Sequence, residues 1–306
     1  MAKVLVCAVL VGWLTAAPGF AASEPGFRFI EGGGGVPIAM MEWGDKSGPG
    51  ILFLHGYGFS AEFWNPQTRD AALDGYHMVA IDLRGHGASG KPWKVEELID
   101  SRVWAEDVAA AIAAAGLVRP IIVGWSYGGF VAMDYVRHFG VKDLSGLVLV
   151  SSPAGLTDRL HPGGDDLPGG PEAYQKAAEQ RDSLSLLANV EGNRYLAELM
   201  TAAELPDSVI DQWTAELMSI PVYVTRGLRQ GRSLENRDLA AALTLPVAIV
   251  VGGKDRSMPF AALETVAGDL PRGEYWLFDA SGHAVSTDVA APFNQRLAEF
   301  AARVSK

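Results

Sequence analysis

A short stretch near the middle of the chain combines a hydroxyl nucleophile with two glycines. The pattern Gly124-x-Ser126-x-Gly128 follows the apolar run 121–123 and precedes a helix-like segment near Phe130. This arrangement is typical of a nucleophile elbow, a sharp strand-to-helix turn that exposes a serine. Because such a turn is strained and crowded, a larger side chain at either glycine would collide with the neighbouring strand and helix. The chain has 35 glycines and chance matches are expected, so the strand–turn–helix context carries the prediction.

Two residues far along the chain supply the other groups that acyl transfer by Ser126 needs. A serine nucleophile requires a base that accepts its proton, an acid that orients the base, and donors for the oxyanion. His283 follows the last apolar run and is the candidate base, and Asp255 follows the preceding run and is the candidate acid. Asp279 and Asp288 are weaker candidates, because an aspartate on the histidine's own segment more often ends a strand or caps a helix.

Two backbone N–H groups are the candidate oxyanion donors. One belongs to Tyr127, directly after the nucleophile, and the other to the loop 55–58, where we expect Tyr57 to supply it. Donors fixed before the reaction cost no reorganisation, and each is typically worth about 10²–10³ in rate. The alternative for the loop 55–58 is that it merely turns the chain.

Short apolar runs alternate with helical segments and position these residues. The runs predict strands at 51–54, 78–81, 121–123, 147–150, 247–251 and 275–278. Runs of this kind are typical of a mostly parallel sheet that helices cover on both faces. Chemistry in such sheets lies at the carboxyl ends of the strands, and His55, Asp82 and Ser126 each fall just past one.

The remaining elements complete an α/β pattern. Two strands, 27–31 and 36–43, read as a hairpin joined by Gly32 to Gly35. No Lys-Ser/Thr follows these glycines and no helix opens there, so we interpret them as a flexible turn and not a phosphate cradle. Helical patterns cover 61–73, 101–117 and 292–304.

The region 154–243 breaks the alternation. It begins with a loop at 158–171 that is rich in Gly, Pro and Asp, and then shows helical patterns near 171–190, 192–203, 206–220 and 233–243. We interpret 154–243 as a helical lid inserted after the sixth strand. It would separate two parts of one α/β core, 23–153 and 244–306.

The first residues resemble a secretory signal peptide. Lys3 precedes an apolar run at 4–14, and small residues follow it. We therefore expect a signal peptide over 1–22, cleaved near Ala21 or Ala22, and export to the periplasm or the medium. An uncleaved membrane anchor is the alternative, although the apolar run is short for a bilayer span.

Composition narrows the classes of partner. The 306 residues carry a formal net charge of −11, which disfavours nucleic acid and anionic membrane surfaces. The sole cysteine, Cys7, lies in the predicted signal peptide, so the mature chain would have no disulfide and no thiol nucleophile. The six histidines are dispersed without metal-ligand spacing, so we expect no metal and no cofactor. The oligomeric state stays open.

The glycine-rich loop 85–90 resembles a dinucleotide-binding motif but lacks the helix that such a motif needs. Residues 85–90 match the G-x-G-x-x-G pattern after a strand, but Lys91-Pro92 follows and no helix opens at the glycines. A dinucleotide needs that helix N-terminus for its pyrophosphate. We therefore reject dinucleotide binding at this loop.

Several motifs together resemble one enzyme superfamily. They lie at 53–56, 82–89, 124–129, 252–255 and 281–283. The chain is similar to the α/β hydrolases, and to their lid-bearing branch of esterases, cofactor-free haloperoxidases or perhydrolases, enol-lactone hydrolases and carbon–carbon bond hydrolases. The order Ser…Asp…His is the order of that superfamily. In dehalogenase and epoxide-hydrolase relatives an aspartate is the nucleophile, so Ser126 argues against both activities.

The resemblance implies a fold and a function. It implies an α/β-hydrolase fold whose loop 82–89 is held by hydrogen bonds from Asp82, Arg84 and His86. We expect hydrolysis of a small to medium carboxylic ester or lactone, as the small-molecule substrate, through an acyl-enzyme on Ser126. The alternatives are acyl transfer or perhydrolysis, carbon–carbon bond hydrolysis, and a ligand-binding protein without catalysis.

Overall fold

The computed structural model describes residues 26–158, 167–257 and 260–306. The predicted signal peptide lies outside these residues, and so does part of the predicted Gly- and Pro-rich loop. Both stay predictions. Within the described ranges no helix combines the length and the apolar character that crossing a bilayer requires.

The described residues form one eight-stranded sheet with the order β1-β2-β4-β3-β5-β6-β7-β8. Its strands are β1 (Gly26–Glu31), β2 (Pro37–Gly44), β3 (Gly50–Leu54), β4 (His77–Ile81), β5 (Ile121–Trp125), β6 (Gly146–Val150), β7 (Val247–Gly252) and β8 (Gly273–Phe278). Strand β2 runs antiparallel to β1 and β4, and the other neighbouring pairs are parallel. This architecture confirms the predicted mostly parallel α/β sheet.

Both faces of the central strands are buried, which explains their apolar sequences. Successive side chains of a strand point to opposite faces. In β3, Leu52 and Leu54 therefore pack into one core, and Ile51 and Phe53 pack into the other. All four side chains are inaccessible to solvent.

Eleven helices are described. They are α1 (Asn65–Thr68), α2 (Glu96–Ile99), α3 (Ser101–Ala115), α4 (Tyr127–Phe139), α5 (Gly170–Arg181), α6 (Leu186–Leu199), α7 (Asp207–Met218), α8 (Val222–Leu228), α9 (Phe260–Asp269), α10 (Val285–Asp288) and α11 (Ala290–Val304). Short 3-10 turns lie at Gly33–Gly35, Ala61–Trp64, Ala71–Leu73 and Arg237–Ala242.

Helices α3 and α11 cover opposite faces of the sheet. The ends of α3 are capped, and α11 buries an apolar stripe. Asp100 caps α3 by accepting a hydrogen bond from the Arg102 backbone at 2.8 Å, and Gly116 ends the helix at φ 66°. The apolar stripe of α11 is buried in the same core as Ile51 and Phe53. It consists of Phe293, Leu297 and Phe300.

Two helical predictions need correction. The segment 61–73 is not one helix. Pro66 lies in the first turn of the short α1, and Asp70 caps a separate 3-10 turn by accepting from the Ala72 backbone at 2.9 Å. The pattern at 171–190 contains α5 and the start of α6, with a break between them at 182–185.

Helices α5 to α8 lie between β6 and β7, where the sequence predicted a helical insertion, and α8 is an element the sequence analysis missed. They pack against loops at the carboxyl edge of the sheet. A Cβ added at Gly58 would lie 2.1 Å from Leu217 of α7, and one at Gly85 would lie 2.7 Å from Val224 of α8. The glycines therefore permit close packing of this insertion on the sheet.

The loop 82–89 is held by buried polar contacts, as the family resemblance implied. The Asp82 carboxylate accepts from the backbone of Ala61 at 2.7 Å and of Ala88 at 2.6 Å. Arg84 donates to both carboxylate oxygens of Asp107 at 2.7 Å. A bidentate arginine–carboxylate pair fixes both distance and orientation.

The same ion pair anchors the glycine turn that follows β1. The Gly33 N–H donates to Asp107 at 2.9 Å, and the Gly33 carbonyl accepts from Arg84 at 2.9 Å. These backbone groups are therefore occupied by the protein itself.

Candidate active site

Ser126 lies on a strained turn between β5 and α4. Its backbone has φ 51° and ψ −114°, a conformation that non-glycine residues seldom adopt. A Cβ added at Gly124 would lie 2.5 Å from the Gly128 carbonyl oxygen, and one at Gly128 would lie 2.2 Å from the Leu54 carbonyl oxygen. The two glycines thus have the steric role that the sequence pattern predicted.

Asp255 and His283 meet at the carboxyl ends of β7 and β8. The Asp255 Oδ2 and His283 Nδ1 atoms are 2.8 Å apart, and both side chains are buried. Burial alone would raise the pKa of Asp255, but the charge and hydrogen bond of His283, together with the bonds from Ser257, lower it below its ordinary value. Asp255 is therefore an acceptor held beside the imidazole.

Ser257 completes this acid–base pair, and the sequence analysis missed it. Its hydroxyl donates to Asp255 Oδ1 at 2.7 Å and lies 2.8 Å from His283 Nδ1. Its backbone N–H donates to the same Asp255 oxygen at 2.8 Å. The Asp-x-Ser spacing was a signal that could have revealed it, because aspartate side chains often bind the backbone two residues later.

Asp288 holds the loop that carries His283 and does not orient the imidazole. Its Oδ2 accepts from the Gly282 backbone at 2.7 Å and from the Ala202 backbone at 3.0 Å. It thereby joins the histidine loop to the end of α6. The choice of Asp255 over Asp288 as the candidate acid stays a prediction.

The nucleophile candidate and the base candidate face the same cavity. The Trp125 indole N–H donates to the His283 carbonyl at 2.9 Å and so joins the elbow to the histidine loop. Phe63 stacks on Trp125 with ring centroids 3.7 Å apart. Ser126, Ser257 and His283 all line a cavity of about 520 Å³.

The candidate oxyanion donors border the same cavity. A Cβ added at Gly56 would lie 3.2 Å from the Ser126 Cβ, so the loop after β3 passes directly beside the nucleophile. Tyr57 and Tyr127 both line the cavity. Within the described residues, neither of their backbone N–H groups has a hydrogen-bond partner. As the first residue of α4, Tyr127 has no intrahelical acceptor for its N–H.

His55 fixes the loop that carries Tyr57. Its Nε2 accepts from the Leu83 backbone at 2.9 Å, so its Nδ1 carries the proton and donates to the Gly56 carbonyl at 2.7 Å. Burial lowers the pKa of His55 to about 4. A neutral imidazole therefore links the loops after β3 and β4 at neutral pH.

Arg232 is a second feature that the sequence did not reveal. It follows α8 and binds the Tyr127 hydroxyl and the Asp134 carboxylate of α4. Its guanidinium lies 4.4 Å from the Trp104 ring centroid and 4.8 Å from that of Tyr127. These contacts hold the bulky Tyr127 side chain beside the nucleophile and join the helical insertion to the core.

The rest of the cavity wall comes largely from the helical insertion. Residues of this insertion at the wall are Tyr174, Arg181, Leu196, Leu199, Met200, Leu228, Arg229, Gly231, Arg232 and Leu234. Among the described residues, no group of three or more His, Cys, Asp or Glu side chains is placed to hold a metal ion.

Comparison with protein families identifies the superfamily. The model of the alpha/beta hydrolase family matches residues 51–303, which is most of the chain. The protein belongs to this family.

Individual relatives agree with this assignment. The chain is 30% identical to AB hydrolase superfamily protein YisY of Bacillus subtilis over 82% of this chain and 90% of that protein. It is 24% identical to the bifunctional esterase/perhydrolase DCH of Acinetobacter calcoaceticus over 87% of this chain and 96% of that protein. Among solved structures, a candidate aryl esterase from Burkholderia cenocepacia superimposes with a TM-score of 0.81 at 27% identity, covering 91% and 98% of the two chains. These relatives support a hydrolase of the esterase-like branch that acts on a small molecule.

Proposed function

We propose that this protein is a serine hydrolase that cleaves a small to medium carboxylic ester or lactone through an acyl-enzyme on Ser126. One observation carries the proposal. The hydrogen-bonded pair of Asp255 and His283 borders the same cavity as Ser126 on its strained turn. The combination supplies a nucleophile, a base and an orienting acid.

The hydrogen-bond donors and acceptors around His283 support this assignment of roles. An ionised Asp255 only accepts hydrogen bonds, so His283 Nδ1 carries the proton that faces it at 2.8 Å. The other ring nitrogen, Nε2, is then the lone-pair site that takes the proton from Ser126 as its oxygen attacks the carbonyl carbon. Asp255 stabilises the imidazolium and keeps the ring in the required tautomer.

Two backbone donors complete the mechanism. The N–H groups of Tyr57 and Tyr127 bind the oxyanion of the tetrahedral intermediate. The protonated His283 then donates to the leaving alcohol, and the acyl group stays on Ser126. Water, deprotonated by the same histidine, attacks the acyl-enzyme and releases the acid.

A second candidate, perhydrolysis on the same residues, is favoured by one comparison. The relative named as a bifunctional esterase/perhydrolase matches over 87% of this chain. In this reaction hydrogen peroxide replaces water as the attacking group and a peracid replaces the acid. Product analysis at equal water activity, with and without peroxide, separates the two activities.

The direct test compares the native protein with Ser126→Ala on p-nitrophenyl esters from acetate to octanoate. Loss of a serine nucleophile reduces turnover by roughly 10⁶ in a comparable triad. Ser47→Ala, in an exposed turn, is the matched control and keeps native turnover. Equal hydrolysis by the native and Ser126→Ala proteins would refute the mechanism. Tight ligand binding without any turnover would instead favour a binding protein.

We also propose that the protein is exported. The support is the sequence pattern at residues 1–22 alone. Expression of the full chain in a bacterial host, followed by mass measurement, tests it. A mature chain that begins near Ala22 supports export, and an intact N-terminus in the cytoplasmic fraction contradicts it.

A further inference from the structure

Arg181 presents to the candidate active-site cavity a charge that forms no ion pair with any described residue. It is the last residue of α5, lines the cavity and has only 9% of its surface exposed. Its Nε atom is buried without a partner, and the side chain forms no hydrogen bond or ion pair with any described residue. Its guanidinium lies 5.6 Å from the ring centroid of Tyr57, a candidate oxyanion-hole residue.

The backbone of Arg181 is held in place by α6. The Asn189 side chain donates to the Arg181 carbonyl at 2.7 Å. Gly192 allows α6 to approach closely, because a Cβ there would lie 2.9 Å from the Arg181 nitrogen. Arg181 is therefore built into the cavity wall and is not the loose end of a helix.

The other arginines of the cavity already have carboxylate partners. Arg229 pairs with Asp182 at 2.9 Å, and Arg232 pairs with Asp134. Among the described residues that line the cavity there is no Asp or Glu. The protein carries a net charge of −11, so this wall is positive within a negative molecule. A buried charge without a partner is costly, and a bound anion removes that cost.

We infer that the substrate of the proposed hydrolase carries an ionised carboxylate, separated from the scissile ester by a short aliphatic spacer, and that Arg181 binds this carboxylate. The inference rests on the proposed function. A guanidinium matches a carboxylate in charge and in its two-pronged geometry. The neighbouring aliphatic wall of Leu196, Leu199 and Met200 suits the spacer.

The test compares two esters of nearly equal shape, monomethyl adipate and methyl 6-methylheptanoate, in a pH-stat at neutral pH. The measured quantity is the ratio of their kcat/KM values, charged over neutral. We expect a ratio well above one for the native protein. Arg181→Met lowers it by about tenfold to a hundredfold, because a charge-assisted hydrogen bond is lost. Arg181→Lys keeps part of the preference.

Arg194→Met is the matched control on the neighbouring helix α6. Arg194 is partly exposed and bound to Asp207 and Asp211, so its loss leaves the ratio unchanged. If Arg181→Met affects both esters equally, the arginine only supports Tyr57, and the carboxylate site is refuted. Thermal melting of each variant confirms folding.

Equilibrium binding separates this inference from the proposed function. Calorimetry measures adipate binding to Ser126→Ala with and without Arg181→Met. We expect saturable binding that the second substitution weakens about tenfold or more. Native hydrolysis of the neutral ester without preference for monomethyl adipate overturns the substrate class and leaves the proposed function standing. If adipate binding depends on Arg181 but the native protein hydrolyses neither ester, the proposed function is overturned and the carboxylate site stands. Absence of saturable adipate binding overturns the inference.

Discussion

Two buried histidines near the cavity predict that the fold loses stability in mild acid. His55 and His86 are fully buried, with ring centroids 5.3 Å apart. Burial lowers the pKa of His55 to about 4, against the opposing effect of the Gly56 carbonyl. Burial and the proximity of His55 lower the pKa of His86 to about 3. In the unfolded chain both histidines return to 6.5, so the unfolded state binds protons that the native state excludes.

The sign and size of the effect follow from this difference. The stability contribution is complete above the unfolded pKa of 6.5 and is lost as the pH falls toward the folded pKa values. One pKa unit corresponds to about 1.4 kcal/mol. At about pH 4.5 each histidine therefore costs roughly 2–3 kcal/mol, and the pair costs about 5 kcal/mol. Domains are typically stable by about 5–15 kcal/mol, so the contribution of the two histidines is a large part of such a total.

Urea denaturation followed by tryptophan fluorescence at several pH values between 7.5 and 4.5 measures this loss. The informative variant is His86→Asn, because its amide can still donate to the Arg84 carbonyl, which the His86 Nδ1 contacts at 2.9 Å. Between pH 7.5 and pH 4.5, His86→Asn should remove about half of the stability loss that the two histidines cause in the native protein. His138→Asn replaces a partly exposed histidine and should remove much less of this stability loss. An unchanged pH slope of the free energy of unfolding in His86→Asn would refute the reasoning.

Two further predictions concern buried polar groups. Arg84→Met should lower the free energy of unfolding by about 3–5 kcal/mol in chemical denaturation, because it leaves Asp107 as a lone buried charge. Arg84→Met with Asp107→Leu should restore part of this loss, and a double variant no more stable than the single one would contradict the argument. Ser257→Ala should reduce kcat on a reactive ester about tenfold with little change in KM, because the hydroxyl that joins Asp255 to His283 is lost. Ser257→Thr keeps the hydroxyl and should retain most activity, and unchanged kcat in Ser257→Ala would argue against the role.

Local patterns were sufficient to predict the sheet and the turns that carry the candidate triad. The strands at 51–54 and 247–251 read as apolar runs because both of their faces are buried. Gly124 and Gly128 mark the elbow because no larger side chain fits beside the turn. Each of these signals lies within a few residues, so no long-range information was needed to read it.

The helical insertion was predicted less well, because its limits depend on packing. The break at 182–185 between α5 and α6 coincides with contacts of Asn189 and Gly192 against the end of α5. Helix α8 covers only seven residues and packs on the loop at Gly85. A short segment stabilised by tertiary contacts has little periodicity of its own.

The sequence by itself determined the superfamily, the sheet and the candidate residues Ser126, Asp255 and His283. Buried strands and crowded turns each require particular residue types at neighbouring positions, so both can be recognised from short stretches of sequence. Only the tertiary structure decided which other side chains meet them. Arg181 comes to Tyr57 across more than a hundred residues, and that contact has no local signature. The electrostatic character of the cavity depends on which charges are paired across the fold, and pairing of that kind becomes visible only when distant segments are packed together.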